Sequence, residues 1–171
     1  DEWQVLEGAG GQGHYYNPEF LCSGGQQRQV EGYSTDVITD VSIDWMDKQS
    51  QQKQPFLLMC QYKSPHIHRI PPPRHMNMFD GQRVAEPETL FDTYEGRSSY
   101  AKKCWMRLFG MSEHVLNITP PQGEYDGGKR PYQFLGRMTQ SQRVAFHQAY
   151  DSENKDYRHS CCNFRGYALI I

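Results

Sequence analysis

The sequence predicts an α/β fold in which a mainly parallel sheet is flanked by helices, and two neighbouring segments carry the prediction. Residues 34–48, STDVITDVSIDWMDK, repeat their apolar positions at helical spacing, which indicates an amphipathic helix. After a polar connection, residues 55–60 form a continuous apolar run, PFLLMC, which is typical of a strand buried on both faces. A helix, a short connection and a buried strand make half of an α/β unit, so we expect residues 55–62 to join a parallel sheet.

Turn and capping residues predict the remaining elements. Ser34 or Thr35 is expected to cap the first helix. Ser-Gly-Gly at 23–25 predicts the turn of a short hairpin within the otherwise irregular residues 1–33. Residues 100–108 have helical spacing. A last helix is expected from Thr139, where Thr-Gln-Ser-Gln forms a capping box with Gln142.

Composition limits the classes of protein to which the chain can belong. The 171 residues fit one domain, but the hydrophobic fraction of 37% and the 15 glycines and 10 prolines predict a thin core. A net charge of -2 does not indicate a basic surface that binds nucleic acid. No window of the sequence approaches the roughly 18 apolar residues of a membrane span. The five cysteines lack C-x-x-C spacing, so neither a zinc site nor a disulfide framework is indicated. Because the chain begins at Asp1, we expect a removed leader or an internal start.

Lys63 and His66 are the leading candidates for a functional site. They follow the predicted strand at 55–62, and ligand sites of open α/β sheets lie just beyond the carboxyl ends of the strands. Pro65 stiffens the connection between them. A lysine and a histidine at this spacing can hold a tetrahedral oxyanion and protonate a leaving oxygen. The alternative, a surface lysine and a turn histidine, stays open because K-x-x-H is a weak pattern.

Other chemistry-bearing residues have plainer interpretations. His68 and His75 extend a histidine-rich patch, but no carboxylate or cysteine stands beside them at ligand spacing, so we expect no metal ligands here. Asn117-Ile118-Thr119 is a formal glycosylation acceptor that the following proline disfavours. Aspartates spaced by three or four along the first helix are interpreted as a solvated face: Asp36, Asp40, Asp44 and Asp47.

Several segments, taken in their order, resemble the central part of a formylglycine-dependent sulfatase of the alkaline-phosphatase-like superfamily. They are WQVLEGAGGQGHYYNPEF, EGYSTDVITDVSIDWMDK, QPFLLMCQYKSPH, PPPRHMNMFD, PETLFDTYEGRSS and RMTQSQRVAFHQAYDSEN. The match covers about residues 3–154, and residues 155–171 form a divergent tail. The resemblance implies that residues 1–171 are a partial sulfatase catalytic domain whose sheet lacks neighbouring strands, so that the isolated chain folds only marginally and associates.

The resemblance also implies roles for the site residues. Lys63 would contact the sulfate oxygens, and His66 would contact the bridging oxygen and donate a proton to the leaving alcohol of a sulfated carbohydrate or small molecule. Such enzymes use a formylglycine made from cysteine in C-x-P-x-R, and they bind calcium. Neither that sequence nor the aspartates that bind the metal are found here, so the chain alone is expected to be inactive. The family's habit implies an extracellular, periplasmic or lysosomal location.

Two other functions stay open. One is a non-catalytic remnant that binds anions or a partner protein, and the other is a phosphatase or phosphodiesterase of the same superfamily. A C-x-P-x-R sequence in the parent gene would indicate a sulfatase. Serine or threonine at that position would favour phosphoryl chemistry or a serine-type sulfatase.

Overall fold

The structure is a computed structural model that describes residues 2–8, 11–82, 84–104, 116, 118–119 and 133–163, with backbone only at 133 and 157–163. Its strands are β1 (Gln4–Leu6), β2 (Glu19–Cys22) and β3 (Gln27–Gln29). Its helices are α1 (Ser34–Ser50), α2 (Ser99–Lys103), α3 (Gln133–Arg137) and α4 (Gln140–Asn163), and a 3-10 turn spans Pro73–His75. Strands and helices together confirm an α/β protein in the coarse sense.

The three strands form one antiparallel sheet in the order β1-β2-β3. The hairpin predicted around residues 23–25 is confirmed, and Gly25 closes its turn by donating to the Cys22 carbonyl over 3.0 Å. Gly24 and Gly25 have φ values of 93° and 82°, which glycine reaches without the strain of a Cβ atom. The turn therefore fixes the register between β2 and β3.

Helix α1 confirms the predicted amphipathic helix and packs on this sheet. Val37 and Ile38 are buried against Phe20 of β2, as the helical spacing of the apolar residues requires. The predicted cap at Ser34 or Thr35 is wrong, because the N-cap residue is Tyr33 and its side chain makes no cap bond. The Ser34 amide is satisfied instead by the Tyr15 carbonyl at 2.7 Å, so the backbone takes the place of a capping side chain.

A larger core joins the start, the middle and the end of the chain. Helix α4 starts with the predicted capping box: the Thr139 amide donates to the Gln142 side chain over 2.8 Å, and the Gln142 amide donates to the Thr139 hydroxyl over 3.3 Å. The buried members of this core are Tyr15, Tyr16, Ile70, Met76, Phe134, Leu135, Met138 and Phe146. Helix α4 continues past residue 154, the end of the predicted family match, to Asn163.

The predicted strand at 55–62 is not formed, and the described sheet is antiparallel rather than mainly parallel. Leu57 is 83% exposed and Met59 is 72% exposed, whereas we expected burial on both faces. The segment lies along α1: the rings of Trp45 and Phe56 are 5.3 Å apart, and the hydroxyls of Thr39 and Tyr62 are 3.0 Å apart. A strand requires a partner for its backbone, and no described residue pairs with this segment.

The described residues between 69 and 98 form no helix or strand apart from the 3-10 turn at Pro73–His75. Helix α2 then begins at Ser99, and the Ser98 hydroxyl caps it by accepting from the Ala101 amide. The predicted continuation of this helix through residues 105–108 lies outside the described residues. Within the described chain, no helix has the length and apolar character to cross a membrane.

Candidate functional site

The loop that carries Lys63 and His66 is anchored beside the start of helix α1. The His66 amide donates to the Lys63 carbonyl over 3.0 Å, which closes a turn between the two residues. The hydroxyls of Ser64 and Thr35 lie 3.2 Å apart, so one contact ties the turn to the first turn of the helix. Local backbone bonding thus holds the two predicted site residues on one short loop.

Lys63 projects over an aromatic ring. Its Nζ donates to the Gln12 carbonyl over 3.1 Å and lies 5.2 Å from the centre of the Tyr15 ring. Burial lowers the pKa of Lys63 below its ordinary value, because removing the ammonium from water disfavours the charged form. The side chain is therefore held in a defined position and is only partly hydrated.

His66 is exposed, and one of its ring nitrogens is already engaged. Nδ1 lies 2.6 Å from the Ile67 carbonyl oxygen. A carbonyl oxygen can only accept, so Nδ1 must carry the hydrogen, and Nε2 is left for other chemistry. Protonated at Nε2, the ring can donate to an oxygen atom in front of it.

Both side chains line the same open groove, whose volume is about 1090 Å³. Gln12 and Lys63 form part of its polar lining, and Trp3, Trp45 and Phe56 are among its aromatic residues. Lys63 and His66 therefore both border this groove, and their roles as site residues stay predictions. The groove offers a cation and an imidazole next to apolar surface, a combination suited to an anionic group on a larger, less polar body.

Three tyrosines that sequence reasoning missed hold the backbone behind this loop. Each is in or against the larger core, and each donates its hydroxyl to a main-chain oxygen of residues 66–71. The bonds run from Tyr15 to His66 at 2.5 Å, from Tyr33 to Ile70 at 2.8 Å and from Tyr16 to Pro71 at 2.7 Å. The only sequence signal was the adjacent pair Tyr15-Tyr16, which does not indicate a partner 51 residues away.

His14 is a second residue that sequence reasoning missed. Burial is the main cause of the lowered pKa of His14, and the positive charges of Arg137 and Lys63 lower that pKa further. The negative charge of Glu19 acts against this shift. The His14 imidazole is therefore neutral over a wider pH range than a free histidine would be.

The described residues do not fit a calcium ion or a formylglycine. No group of three or more His, Cys, Asp or Glu side chains among them could hold a metal. Cys22 and Cys60 form no disulfide among the described residues, and no cysteine of the sequence stands in C-x-P-x-R.

The other candidate residues from the sequence make contacts within the fold. The His68 ring lies 5.5 Å from that of Phe134, and Asp36 pairs with Arg74 through two bonds of 2.6 and 2.8 Å. Asn117 lies outside the described residues. The Thr119 hydroxyl of the same acceptor sequence is buried and accepts from Asn154 over 2.9 Å.

Comparison with known proteins supports one family. No family model matches the sequence. An N-acetylglucosamine-6-O-sulfatase of Bacteroides thetaiotaomicron is 33% identical over 177 aligned residues, which cover 99% of this chain and 30% of that protein. A solved structure of a protein in complex with its substrate, D-glucosamine-2-N,6-O-disulfate, is similar with a TM-score of 0.85 and 32% identity, covering 94% of this chain and 33% of that one. The chain thus spans about a third of the length of these relatives, and both similarities support the sulfatase family for it.

Proposed function

We propose that this chain forms part of the substrate site of a sulfuric ester hydrolase that acts on a sulfated aminosugar. The observation that carries the proposal is the shared groove, into which one short loop places both Lys63 and His66. The similarity to an N-acetylglucosamine-6-O-sulfatase, and to a protein whose substrate is a disulfated glucosamine, supports the aminosugar as the substrate class.

Lys63 is proposed to contact the oxygens of the sulfate group. An ammonium has three hydrogen-bond donors, and the Gln12 carbonyl accepts only one of them. The remaining donors can reach an anion in the groove. Because the ammonium is partly removed from water, its attraction to a sulfate is stronger than that of a fully hydrated lysine.

His66 is proposed to meet the bridging oxygen of the ester. The Ile67 carbonyl holds the hydrogen on Nδ1, so the form that acts is the imidazolium, whose second proton on Nε2 is donated to the departing alcohol. The proton moves from Nε2 to the bridging oxygen while the bond between sulfur and that oxygen breaks. The nucleophile that attacks sulfur is not among the described residues, so the proposal assigns binding and proton donation alone to this chain.

A binding titration tests the proposal. D-glucosamine-2-N,6-O-disulfate is titrated into the chain by calorimetry, with unsulfated D-glucosamine as the matched ligand. A charge-assisted hydrogen bond contributes about 1.5–3 kcal/mol, so Lys63→Ala should weaken binding of the disulfated sugar roughly tenfold or more. His66→Ala should weaken it less, because an uncharged partner contributes about 1 kcal/mol.

Lys48→Ala is the control, because Lys48 is an exposed lysine in the last turn of α1 and does not line the groove. The proposal predicts unchanged affinity in this variant. Equal affinity for the sulfated and unsulfated sugars, or equal losses from Lys48→Ala and Lys63→Ala, would show that the groove does not recognise the sulfate group.

A further inference from the structure

Tyr15 contacts both proposed substrate residues at once. Its ring centre lies 5.2 Å from the Nζ atom of Lys63, and its hydroxyl donates to the His66 carbonyl over 2.5 Å. The side chain is 4% exposed, so it stands behind the loop rather than in the groove.

Tyr15 is itself held firmly. Its ring stacks on that of Tyr33 at 5.9 Å between centres and 20° between planes. Its carbonyl accepts from the Ser34 amide at the start of helix α1. Burial raises the pKa of Tyr15, so the hydroxyl keeps its hydrogen and acts as a donor through the neutral pH range.

We propose that Tyr15 is the positioning residue of this site, and that it sets the separation and direction of Lys63 and His66 by holding one through its ring and the other through its hydroxyl. The inference rests on the proposed function for the roles of the two residues it positions. A cation over an aromatic ring is attracted by the electron-rich face, which limits the positions that the ammonium can take. A hydrogen bond to the His66 carbonyl limits the rotation of the loop that carries the imidazole.

The two contacts can be removed separately. Tyr15→Phe keeps the ring under Lys63 and deletes the bond to His66, whereas Tyr15→Leu deletes both. Tyr16→Phe is the matched control, because it removes a hydroxyl bond of similar length, 2.7 Å, to the same loop at Pro71. Tyr16 is as deeply buried as Tyr15, so the two Phe variants should lose similar free energies of unfolding.

Residue-level labelling of the ligand-free chain provides the direct readout. The acylation rate of Lys63 and the exchange rate of the C2 hydrogen of His66 are measured by peptide mass spectrometry at micromolar protein concentration. We expect Tyr15→Phe to change the exchange rate of His66 by about two- to tenfold, which corresponds to the net free energy of one hydrogen bond. The acylation rate of Lys63 should stay unchanged. Tyr15→Leu should also change the Lys63 rate by about two- to fivefold, the range of an exposed cation–π contact.

Binding of the disulfated glucosamine gives the second readout. Tyr15→Phe should weaken it by about two- to tenfold relative to Tyr16→Phe, since only the first variant frees His66. Should Tyr15→Leu fail to fold, the comparison of the two Phe variants still decides the matter. Unchanged His66 exchange in Tyr15→Phe, or an equal change in Tyr16→Phe, would overturn the inference and make Tyr15 a structural residue only.

The failure of the two proposals can be told apart. If Lys63→Ala leaves the affinity for the disulfated glucosamine unchanged, the proposed function fails. The labelling rates, measured without ligand, still decide whether Tyr15 positions the two side chains.

Discussion

Arg137 joins the two ends of the described chain through Glu19. Its guanidinium donates over 2.9 Å to the Glu19 carboxylate and over 2.9 Å to the Asn17 carbonyl. The Asn17 amide returns a bond of 2.5 Å to the Arg137 carbonyl and one of 2.9 Å to Gln142. This network fastens the strand β2 to helices α3 and α4, from opposite ends of the sequence.

Removing the guanidinium should therefore loosen the whole fold. We expect Arg137→Met to lower the free energy of unfolding by about 1–2 kcal/mol. This is the contribution of a hydrogen bond between charged groups, reduced because Glu19 is partly exposed to water. Urea unfolding followed by circular dichroism measures the loss. Arg143→Met is the control, because among the described residues the Arg143 guanidinium makes only a long contact of 3.5 Å to the Met138 carbonyl, and a loss as large as that of Arg137→Met would refute the argument.

The capping box of helix α4 gives a second prediction. Thr139→Ala removes the hydroxyl that accepts from the Gln142 amide, so we expect a loss of about 1 kcal/mol in unfolding free energy. Thr139→Asn should retain nearly all of the stability, since asparagine is a strong N-cap residue. Equal losses in the two variants would mean that the bond to the amide contributes nothing.

Alkaline pH should destabilise the chain. Burial is the largest cause of a raised pKa at four tyrosines. A tyrosine whose pKa is higher in the folded than in the unfolded chain contributes stability that is lost as the pH rises above its pKa in the unfolded chain, near 10.0. Lys63 acts in the opposite direction, because its pKa is lowered and its burial penalty is relieved as the lysine deprotonates. One lysine cannot balance the tyrosines, which are Tyr15, Tyr16, Tyr33 and Tyr150.

The expected result is a fall in unfolding free energy above pH 10, with a slope of about 1.4 kcal/mol per pH unit for each proton that only the folded state retains. Urea unfolding at pH 8.5, 10 and 11 measures the slope. Tyr16→Phe should have a shallower slope than the unaltered chain, and Tyr62→Phe, at an exposed position, should match the unaltered chain. A slope that is unaffected by Tyr16→Phe would contradict the assignment.

The exposed apolar segment at 55–59 predicts self-association. Leu57 is 83% exposed and Met59 is 72% exposed, on a segment whose backbone pairs with no described residue. Exposed apolar side chains of this kind favour association, so the sedimentation coefficient should rise with protein concentration, and Leu57→Lys should reduce that rise. Val84→Lys, at an exposed position elsewhere, is the control, and a monomer with a sharp reversible melt at all concentrations would refute the prediction.

Local features were predictable from the sequence, and long-range ones were not. The spacing of Val37 and Ile38, the turn at 23–25 and the Thr139 capping box are determined within a few residues, and the structure confirms each. The prediction of a strand at 55–62 was wrong, because a strand depends on partners that the local pattern does not specify. The contact of Tyr15 with His66 spans 51 residues, so no periodicity could reveal it.

The candidate site was predictable in part for the same reason. Lys63 and His66 stand three residues apart, and a turn brings them together on one loop. The groove in front of them is built from residues 2–6, helix α1 and residues 55–63, and the path of the last segment was predicted incorrectly. Residue types near a site can be read from a sequence, whereas the walls around it depend on how distant segments pack.

The proposed function implies that this chain recognises a sulfate ester without supplying the nucleophile, and one measurement tests this most directly. The purified chain is assayed with an activated aryl sulfate, with and without calcium, beside the Lys63→Ala variant and beside the binding titration on the same samples. General acid help contributes roughly 10²- to 10⁴-fold, and enzymes typically accelerate reactions about 10⁶-fold or more, so we predict sulfate-dependent binding with no turnover. Turnover by the unaltered chain that disappears in Lys63→Ala would contradict the claim, because it would place the whole catalytic machinery within these residues.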